Sequence, residues 1–171
     1  MKTPLVKLSI PTRDGPFTAR YSENGLVELS FPNSNRKIQG GRNQNNRQSA
    51  ISNRQLRSWH RATTVALKKI LAGRKPGKMP PLDMAGTEFQ KSVWNALREI
   101  SSGETKSYGE IARAIGRPKA VRAVGGACGA NPVPVLVPCH RVLAANKKLG
   151  GFSGGLDWKR KLLAREGVLL R

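Results

Sequence analysis

The chain has 171 residues, and its 31 Lys and Arg against 10 Asp and Glu give a formal net charge of +21. This excess favours a polyanionic partner, most simply nucleic acid, although a solvated basic surface is the alternative. No stretch approaches the roughly 18 apolar residues of a membrane span, and residues 1–11 lack the apolar run of a secretion signal. We therefore expect a soluble, cytoplasmic protein.

Residues 1–32 have the pattern of a small antiparallel sheet. Apolar runs lie on both sides of an Asp14-Gly15 turn signal, and the hairpin signal Asn24-Gly25 precedes a third apolar run over 26–31. The sequence predicts three short strands in this part of the chain.

Three further segments follow the predicted sheet. Residues 33–52 are polar and basic with almost no apolar content, which predicts a flexible loop. Apolar residues at 3.6-residue spacing predict a helix over 53–72, with His60 packed on its apolar stripe. Residues 73–84 are rich in proline and glycine and are interpreted as an interdomain linker.

The second half of the chain has the pattern of short helices. Thr87 and Ser107 each begin a capping-box pattern followed by apolar residues at helical spacing. Gly116 predicts a turn, and Pro118 suits the first position of a helix over 119–128. Two short helices joined by a tight turn make a helix-turn-helix candidate.

We predict an α+β protein with two domains. Residues 1–80 form a small domain of sheet and helix, and residues 85–171 form a mostly helical domain. In the second domain, Asp157 is predicted to cap the last helix. Glu166 lies at the C-terminus of that helix, where the helix dipole disfavours a carboxylate, and this indicates a role for it.

The stretch 131–142 presents a thiol, an imidazole and a guanidinium in consecutive positions, at Cys139, His140 and Arg141. Its three prolines predict a rigid, extended segment, and the apolar residues among them predict burial. A rigidly mounted thiol suits a nucleophile, but a buried cysteine often only fills space. The Cys-His pair alone leaves both interpretations open.

The remaining cysteine and histidine, Cys128 and His60, form neither a C-x-x-C pair nor a metal-ligand spacing with Cys139 and His140. The pattern argues against a disulfide scaffold and fits a reduced cytoplasmic setting. A structural zinc site needs about four suitably spaced ligands. We predict no metal and no cofactor, and we interpret Cys128 as packing.

Several short motifs between residues 86 and 170 resemble the O6-alkylguanine-DNA alkyltransferases, also called methylated-DNA–protein-cysteine methyltransferases. In chain order they are Gly103-Glu104-Thr105 with Ser107-Tyr108, Arg122-Ala123-Val124-Gly125-Gly126-Ala127, Asn131-Pro132-Val133-Pro134, Pro138-Cys139-His140-Arg141-Val142, Ser153-Gly154-Gly155-Leu156 and Glu166-Gly167. The cysteine motif is the most specific of them. Residues 1–80 resemble the family only in layout.

The resemblance implies a ribonuclease H-like N-terminal domain and a winged-helix-like C-terminal domain. It implies repair of O6-alkylguanine in double-stranded DNA, with O4-alkylthymine as a further substrate. The alkyl group would move once, irreversibly, to a cysteine after the base is flipped out from the minor groove. The protein would act as a monomer without a cofactor, in the cytoplasm and on the nucleoid when bound to DNA.

The resemblance also implies catalytic roles. Cys139 would accept the alkyl group, and His140 would generate its thiolate through a water molecule. Glu166 would orient His140, and Asn131 would brace the thiol. Tyr108 would donate its phenolic proton to the guanine leaving group.

The implied substrate and DNA contacts lie on both sides of the cysteine. The base pocket would be lined by Pro134, Val142, Phe152 and Ser153, with the Ser153 N–H near guanine O6. Phe152 stands where many relatives carry tyrosine, so a hydroxyl contact is lost there. Arg122 would be the finger that enters the vacated base stack. The implied DNA contacts are Tyr108, Lys119, Arg122, Ala123 and Gly125.

Two other functions use some of the same residues. A cysteine hydrolase would use Cys139 and His140, but it gives no reason for the basic charge or the helical pair. A DNA-binding regulator with a structural cysteine accounts for the charge and the helices, but not for Cys139, His140 and Glu166 together.

Overall fold

The computed structural model describes residues 5–33 and 52–169. The predicted antiparallel sheet is present, with strand order β1-β2-β3. Its strands are β1 (Val6–Ile10), β2 (Phe17–Tyr21) and β3 (Leu26–Ser30). Side chains alternate across β2, so that Phe17, Ala19 and Tyr21 are buried on one face.

Helix α1 (Asn53–Leu71) covers the buried face of this sheet. The Tyr21 hydroxyl donates to Thr63 Oγ1 at 2.9 Å and lies 3.2 Å from His60 Nδ1. The prediction of a packed His60 is therefore confirmed. Most of the loop predicted over 33–52 lies outside the described residues.

The segment predicted as a linker is held against the sheet at its C-terminal end. The Leu26 N–H donates to the Pro81 carbonyl at 2.8 Å, and the Asp83 N–H donates to the Leu26 carbonyl at 2.9 Å. Leu82 thus forms a parallel bridge with Leu26. The domain boundary over 80–85 stays a prediction.

Four helices follow in the described chain, together with two short parallel strands. They are α2 (Glu88–Arg98), β4 (Lys106–Ser107), α3 (Tyr108–Ala114), α4 (Val121–Gly129), β5 (Val142–Leu143) and α5 (Leu156–Arg165). Both predicted capping boxes are confirmed, at Thr87 with Gln90 and at Ser107 with Glu110. The mixed α/β class is confirmed, and none of the helices within 5–33 and 52–169 is long and apolar enough to cross a membrane.

Two helix starts differ from the prediction. Helix α4 begins at Val121, because Pro118 occupies the second position of a turn closed by Ala120 N–H donating to the Arg117 carbonyl at 2.9 Å. Lys119 therefore lies in the turn. The cap of α5 is Gly155, with no side-chain hydrogen bond, and Asp157 lies within the first turn.

Apolar side chains from both halves of the chain share one core. The Trp158 ring of α5 lies 5.6 Å from Phe17 and 4.9 Å from Phe31, between ring centroids. At the edge of this contact, the Asp14 carboxylate accepts from Arg165 Nη1 at 2.8 Å and pairs with Lys161 Nζ at 2.6 Å. The sheet is thus packed directly against α5, the helix that Glu166 follows.

Candidate active site

The stretch before Cys139 is bent, so the prediction of an extended segment is wrong. The Val137 N–H donates to the Val133 carbonyl at 2.9 Å, and Val135 takes a left-handed φ of 75°. This conformation is costly for a β-branched residue, by roughly 1–3 kcal/mol, and persists only where the surroundings enforce it. The predicted burial of the apolar run is confirmed.

Asn131 provides that enforcement. Its Oδ1 accepts from the Val133 N–H at 3.0 Å, and its Nδ2 donates to the Val137 carbonyl at 2.8 Å. The same Nδ2 donates to Cys139 Sγ at 3.2 Å. One buried amide therefore closes the turn and directs a hydrogen atom at the sulfur, as the predicted bracing role requires.

His140 is fully buried, and its Nε2 lies 3.0 Å from Glu166 Oε1. A carboxylate only accepts hydrogen bonds, so Nε2 carries the hydrogen and Nδ1 keeps its lone pair. No residue in the described part of the chain hydrogen-bonds to Nδ1. Burial lowers the pKa of His140, an effect that Glu166 opposes, and the imidazole is therefore neutral at pH 7.

Arg141 is a site residue that sequence reasoning missed. It donates to both Glu166 oxygens, from Nε at 2.9 Å and from Nη2 at 2.8 Å, and its Nη1 donates to the Ile100 carbonyl at 2.6 Å. Burial opposes ionisation of Glu166, but the hydrogen bonds from His140 and Arg141 prevail and lower its pKa to about 2. Its place beside His140 in the cysteine motif was the available signal.

A cavity of about 570 Å³ opens at Cys139, which is itself 4% exposed. It is lined by Tyr108, Val121, Arg122, Gly125, Cys128, Gly129, Cys139, Gly151, Phe152 and Ser153. The structure thus brings the predicted acceptor, proton donor and finger residue to one cavity. Pro134 and Val142 lie outside this lining, and Val142 is fully buried.

Tyr108 begins α3 and points its phenol at the glycine-rich loop. A Cβ on Gly150 would lie 2.8 Å from the phenolic oxygen, and Gly150 has a φ of +65°, so only glycine allows the loop to pass here. Burial raises the pKa of Tyr108, and negative charge on the Cys139 sulfur adds to this effect. The phenol therefore keeps its proton.

Lys159 is the second residue that sequence reasoning missed. It lies on α5, is fully buried, and its Nζ donates to the carbonyls of Val142 at 2.6 Å, Gly151 at 3.2 Å and Leu149. Burial lowers its pKa to about 8, and negative charge on Cys139 opposes this effect. One cation therefore joins the loop to the strand after Cys139. Its place three and four residues before the apolar Leu162 and Leu163, on the buried face of α5, was the available signal.

Helix α4 forms one rim of the cavity. Arg122 lies in its first turn and is exposed, as are Ala123 and Gly126, while Gly125 faces the Tyr108 ring. The exposed face carries small side chains, as the predicted close approach to DNA requires.

Cys128 is the second thiol of the cavity lining. Burial raises its pKa to about 12, so it is a protonated thiol.

Among residues 5–33 and 52–169, no three His, Cys, Asp or Glu side chains are grouped so that they could hold a metal ion.

The chain has clear relatives among known proteins. The family model described as the 6-O-methylguanine DNA methyltransferase DNA-binding domain matches residues 88–168. A methylated-DNA–protein-cysteine methyltransferase of Methanosarcina acetivorans is 44% identical over 153 residues, which are 90% of this chain and 92% of the relative. The chain belongs to the methylated-DNA–protein-cysteine methyltransferase family. The resemblance inferred from the motifs is thereby confirmed.

Other members of the methyltransferase family agree in sequence and fold. The inducible methylated-DNA–protein-cysteine methyltransferase of Bacillus subtilis is 51% identical over 102 residues, 60% of this chain and 57% of the relative. The Mycobacterium tuberculosis OGT structure in complex with DNA has a TM-score of 0.70 and 37% identity, and the match covers 92% and 90% of the two chains. A Methanococcus jannaschii O6-methylguanine DNA methyltransferase structure gives a TM-score of 0.65 at 28% identity, with 96% and 95% covered.

Proposed function

We propose that this chain repairs O6-alkylguanine in double-stranded DNA, and O4-alkylthymine as a further substrate, by moving the alkyl group to Cys139. The observation that carries the proposal is the hydrogen-bonded set around one cavity. Asn131 donates to the Cys139 sulfur, and the adjacent His140 is held by Glu166 with Nδ1 left to accept a proton. This is the nucleophile, base and orienter of activated-thiol chemistry.

The first step is removal of the thiol proton. A free thiol has a pKa near ~8.5 and is mostly protonated at neutral pH, whereas the thiolate is the reactive form. The proton of Cys139 passes through a water molecule to His140 Nδ1. Glu166 stabilises the resulting imidazolium, and the Asn131 N–H stabilises the negative sulfur.

In the displacement, the thiolate attacks the alkyl carbon on O6. A sulfur–carbon bond forms, the carbon–O6 bond breaks, and the electron pair of the broken bond moves to guanine. Tyr108 gives its phenolic proton to the departing base. The product thioether is stable, and the described chain provides no group placed to reverse the transfer, so each molecule acts once and without a cofactor.

Access to a paired base requires that the nucleotide be flipped out of the stack, at a cost of a few kcal/mol. In the proposal, α4 enters the minor groove and Arg122 fills the vacated position. Ala123 and Gly125 allow the close approach, and Lys119 contacts the backbone from the preceding turn. Phe152 and Ser153 hold the flipped base beside Cys139.

The setting is part of the same proposal. We place the protein in the cytoplasm, on the nucleoid when bound to DNA, because Cys139 must stay a reduced thiol. It acts as a monomer, and its net charge of +21 supplies the attraction to DNA.

The test is incubation with duplex DNA that contains O6-methylguanine, followed by intact-protein mass measurement. We expect a mass gain of one methyl group that reaches its limit at one equivalent of DNA, with the methyl on Cys139. Tight DNA binding without a mass gain would instead support a regulator. Continued turnover would support a hydrolase.

Replacement of Arg122 by alanine separates flipping from chemistry. Arg122 is exposed at the cavity rim, and we expect Arg122→Ala to slow repair in duplex DNA at least roughly tenfold. The free energy that corresponds to this factor is part of the few kcal/mol that base flipping costs. Reaction with free O6-benzylguanine should change little. Arg113→Ala, which removes an exposed arginine of α3, is the matched control. Equal losses on duplex and free base would contradict the finger role.

A further inference from the structure

The sheet of the N-terminal half reaches the acceptor cavity through one aromatic side chain, Phe31. Phe31 directly follows β3 and is 7% exposed. Its ring centroid lies 5.3 Å from that of Phe17 and 4.9 Å from that of Trp158, inside the core. On its other side, it lies 5.7 Å from the Phe152 ring in an edge-on arrangement.

Phe152 connects this contact to the chemistry. It lines the cavity together with Cys139, and its ring lies edge-on to the His140 imidazole, with 6.4 Å between centroids. Edge-to-face aromatic pairs have a preferred geometry and add roughly 0.5–1.5 kcal/mol each beyond burial. Phe31 therefore packs edge-on against a ring that lines the acceptor cavity.

Phe31 also contacts the backbone of the glycine-rich loop. A Cβ on Gly154 would lie 2.5 Å from the Phe31 ring, so the loop backbone runs directly against that ring. Phe31 thus supports the loop on both sides of Ser153, at Phe152 and at Gly154. Lys159 holds the same loop from α5, through the carbonyls of Leu149 and Gly151.

The strand before Phe31 also contacts the turn that precedes Cys139. The Leu29 N–H of β3 donates to the Pro132 carbonyl at 2.9 Å. Pro132 belongs to the turn that Asn131 closes beside the sulfur. One strand therefore fixes the separation between the acceptor turn and the base-binding loop.

We propose that Phe31 is a positioning residue for alkyl transfer, which sets the orientation of Phe152 and thereby the size of alkyl group that the cavity accepts. The inference rests on the proposed function and assigns the N-terminal sheet a part in it. Removal of the Phe31 ring leaves space into which Phe152 and the loop can relax. Bulky alkyl groups then fit better, and a methyl group is held less well against the sulfur.

The experiment compares alkyl transfer from matched duplexes that carry O6-methylguanine or O6-benzylguanine. For Phe31→Ala we expect the benzyl-to-methyl rate ratio to rise by about tenfold. This is the lower end of the discrimination that an apolar pocket shows between substrates that differ by one methylene group. Phe31→Leu keeps apolar volume in a folded core, and its ratio should lie between wild type and Phe31→Ala.

Tyr21→Ala is the matched control. Tyr21 is a fully buried aromatic residue of the same sheet, and it contacts His60 and Thr63 of α1, so its loss destabilises the same core at a different contact. Its thermal midpoint should fall at least as far as that of Phe31→Ala, while its rate ratio stays near wild type. In a Phe152→Ala background, Phe31→Ala should no longer change the ratio.

The outcomes separate this inference from the function on which it rests. An unchanged ratio in both Phe31 variants, with normal transfer by wild type, would overturn the positioning role alone. An equal shift in Tyr21→Ala would also overturn it, because the effect would then follow stability. Wild-type protein that accepts neither alkyl group would overturn the proposed function and this inference together.

Discussion

Cys139→Ser is expected to abolish alkyl transfer completely, with no mass gain after prolonged incubation with O6-methylguanine duplex. A serine hydroxyl is far less acidic than a thiol, and a neutral alcohol is a poor nucleophile at an alkyl carbon, so proton removal by the His140 imidazole should give too little of the anion for measurable transfer. The hydroxyl can still accept the Asn131 hydrogen bond, and the bent turn should persist. DNA affinity should therefore stay within about threefold of wild type.

The matched control is Cys128→Ser, the other thiol that lines the cavity. Because burial keeps Cys128 protonated, with a pKa raised to about 12, its replacement should leave the methyl on Cys139 and the stoichiometry at one equivalent. Transfer that survives in Cys139→Ser and disappears in Cys128→Ser would show that Cys128, and not Cys139, is the acceptor.

Glu166→Gln should produce the second large effect, on rate and on stability together. The Glu166 side chain is 1% exposed, and its carboxylate neutralises Arg141 and orients His140. Removal of one member of a buried ion pair leaves the other charge uncompensated, and we expect a loss of about 3 kcal/mol in the free energy of unfolding. Transfer at pH 7 should slow roughly a hundredfold or more, because the His140 imidazole is no longer held in the orientation that a general base requires.

The pH profile distinguishes a catalytic loss from a structural one. His140 must be neutral to accept a proton, so the wild-type rate should fall as pH decreases through its pKa, which burial places below 6.5. Glu166 raises that pKa and Arg141 lowers it. In Glu166→Gln, burial, Arg141 and Lys159 still lower the pKa of His140, and no carboxylate raises it, so the acid limb should move to lower pH.

Glu28→Gln serves as the control for charge removal, because Glu28 pairs with Arg20 at 3.6 Å in the N-terminal sheet. It should leave both the rate and the position of the acid limb unchanged. A lower plateau in Glu166→Gln with an unmoved acid limb would contradict the orienting role of the carboxylate.

Local signals predicted local structure well. The Thr87 and Ser107 capping boxes lie within four residues of chain, and both were confirmed because every interacting group is contiguous in sequence. Pro118 shows the limit of such signals, since proline suits both the first position of a helix and the second position of a turn. The backbone bond from Ala120 to Arg117 decided between them.

The motifs predicted which residues meet at the site, but not how they are held. Arg141 and Glu166 are 25 positions apart, and only the packing of α5 brings them together. Asn131 bends the segment before Cys139 through hydrogen bonds to Val133 and Val137, whereas the proline content alone predicted an extended segment. Lys159 shares the buried face of α5 with Leu162 and Leu163, as helical spacing indicates, but no periodicity identifies the three backbone carbonyls that accept from its ammonium group.

The core shared by the two halves has a consequence for how the protein opens. Phe17 and Phe31 from the sheet pack on Trp158 of α5, and the strand is bonded to Pro132 beside the acceptor. Fluctuations that release the sheet must therefore also release the loop and the acceptor turn, as one cooperative unit. We therefore expect the residues on the two sides of the predicted boundary near residue 80 to open together, with similar free energies of local unfolding.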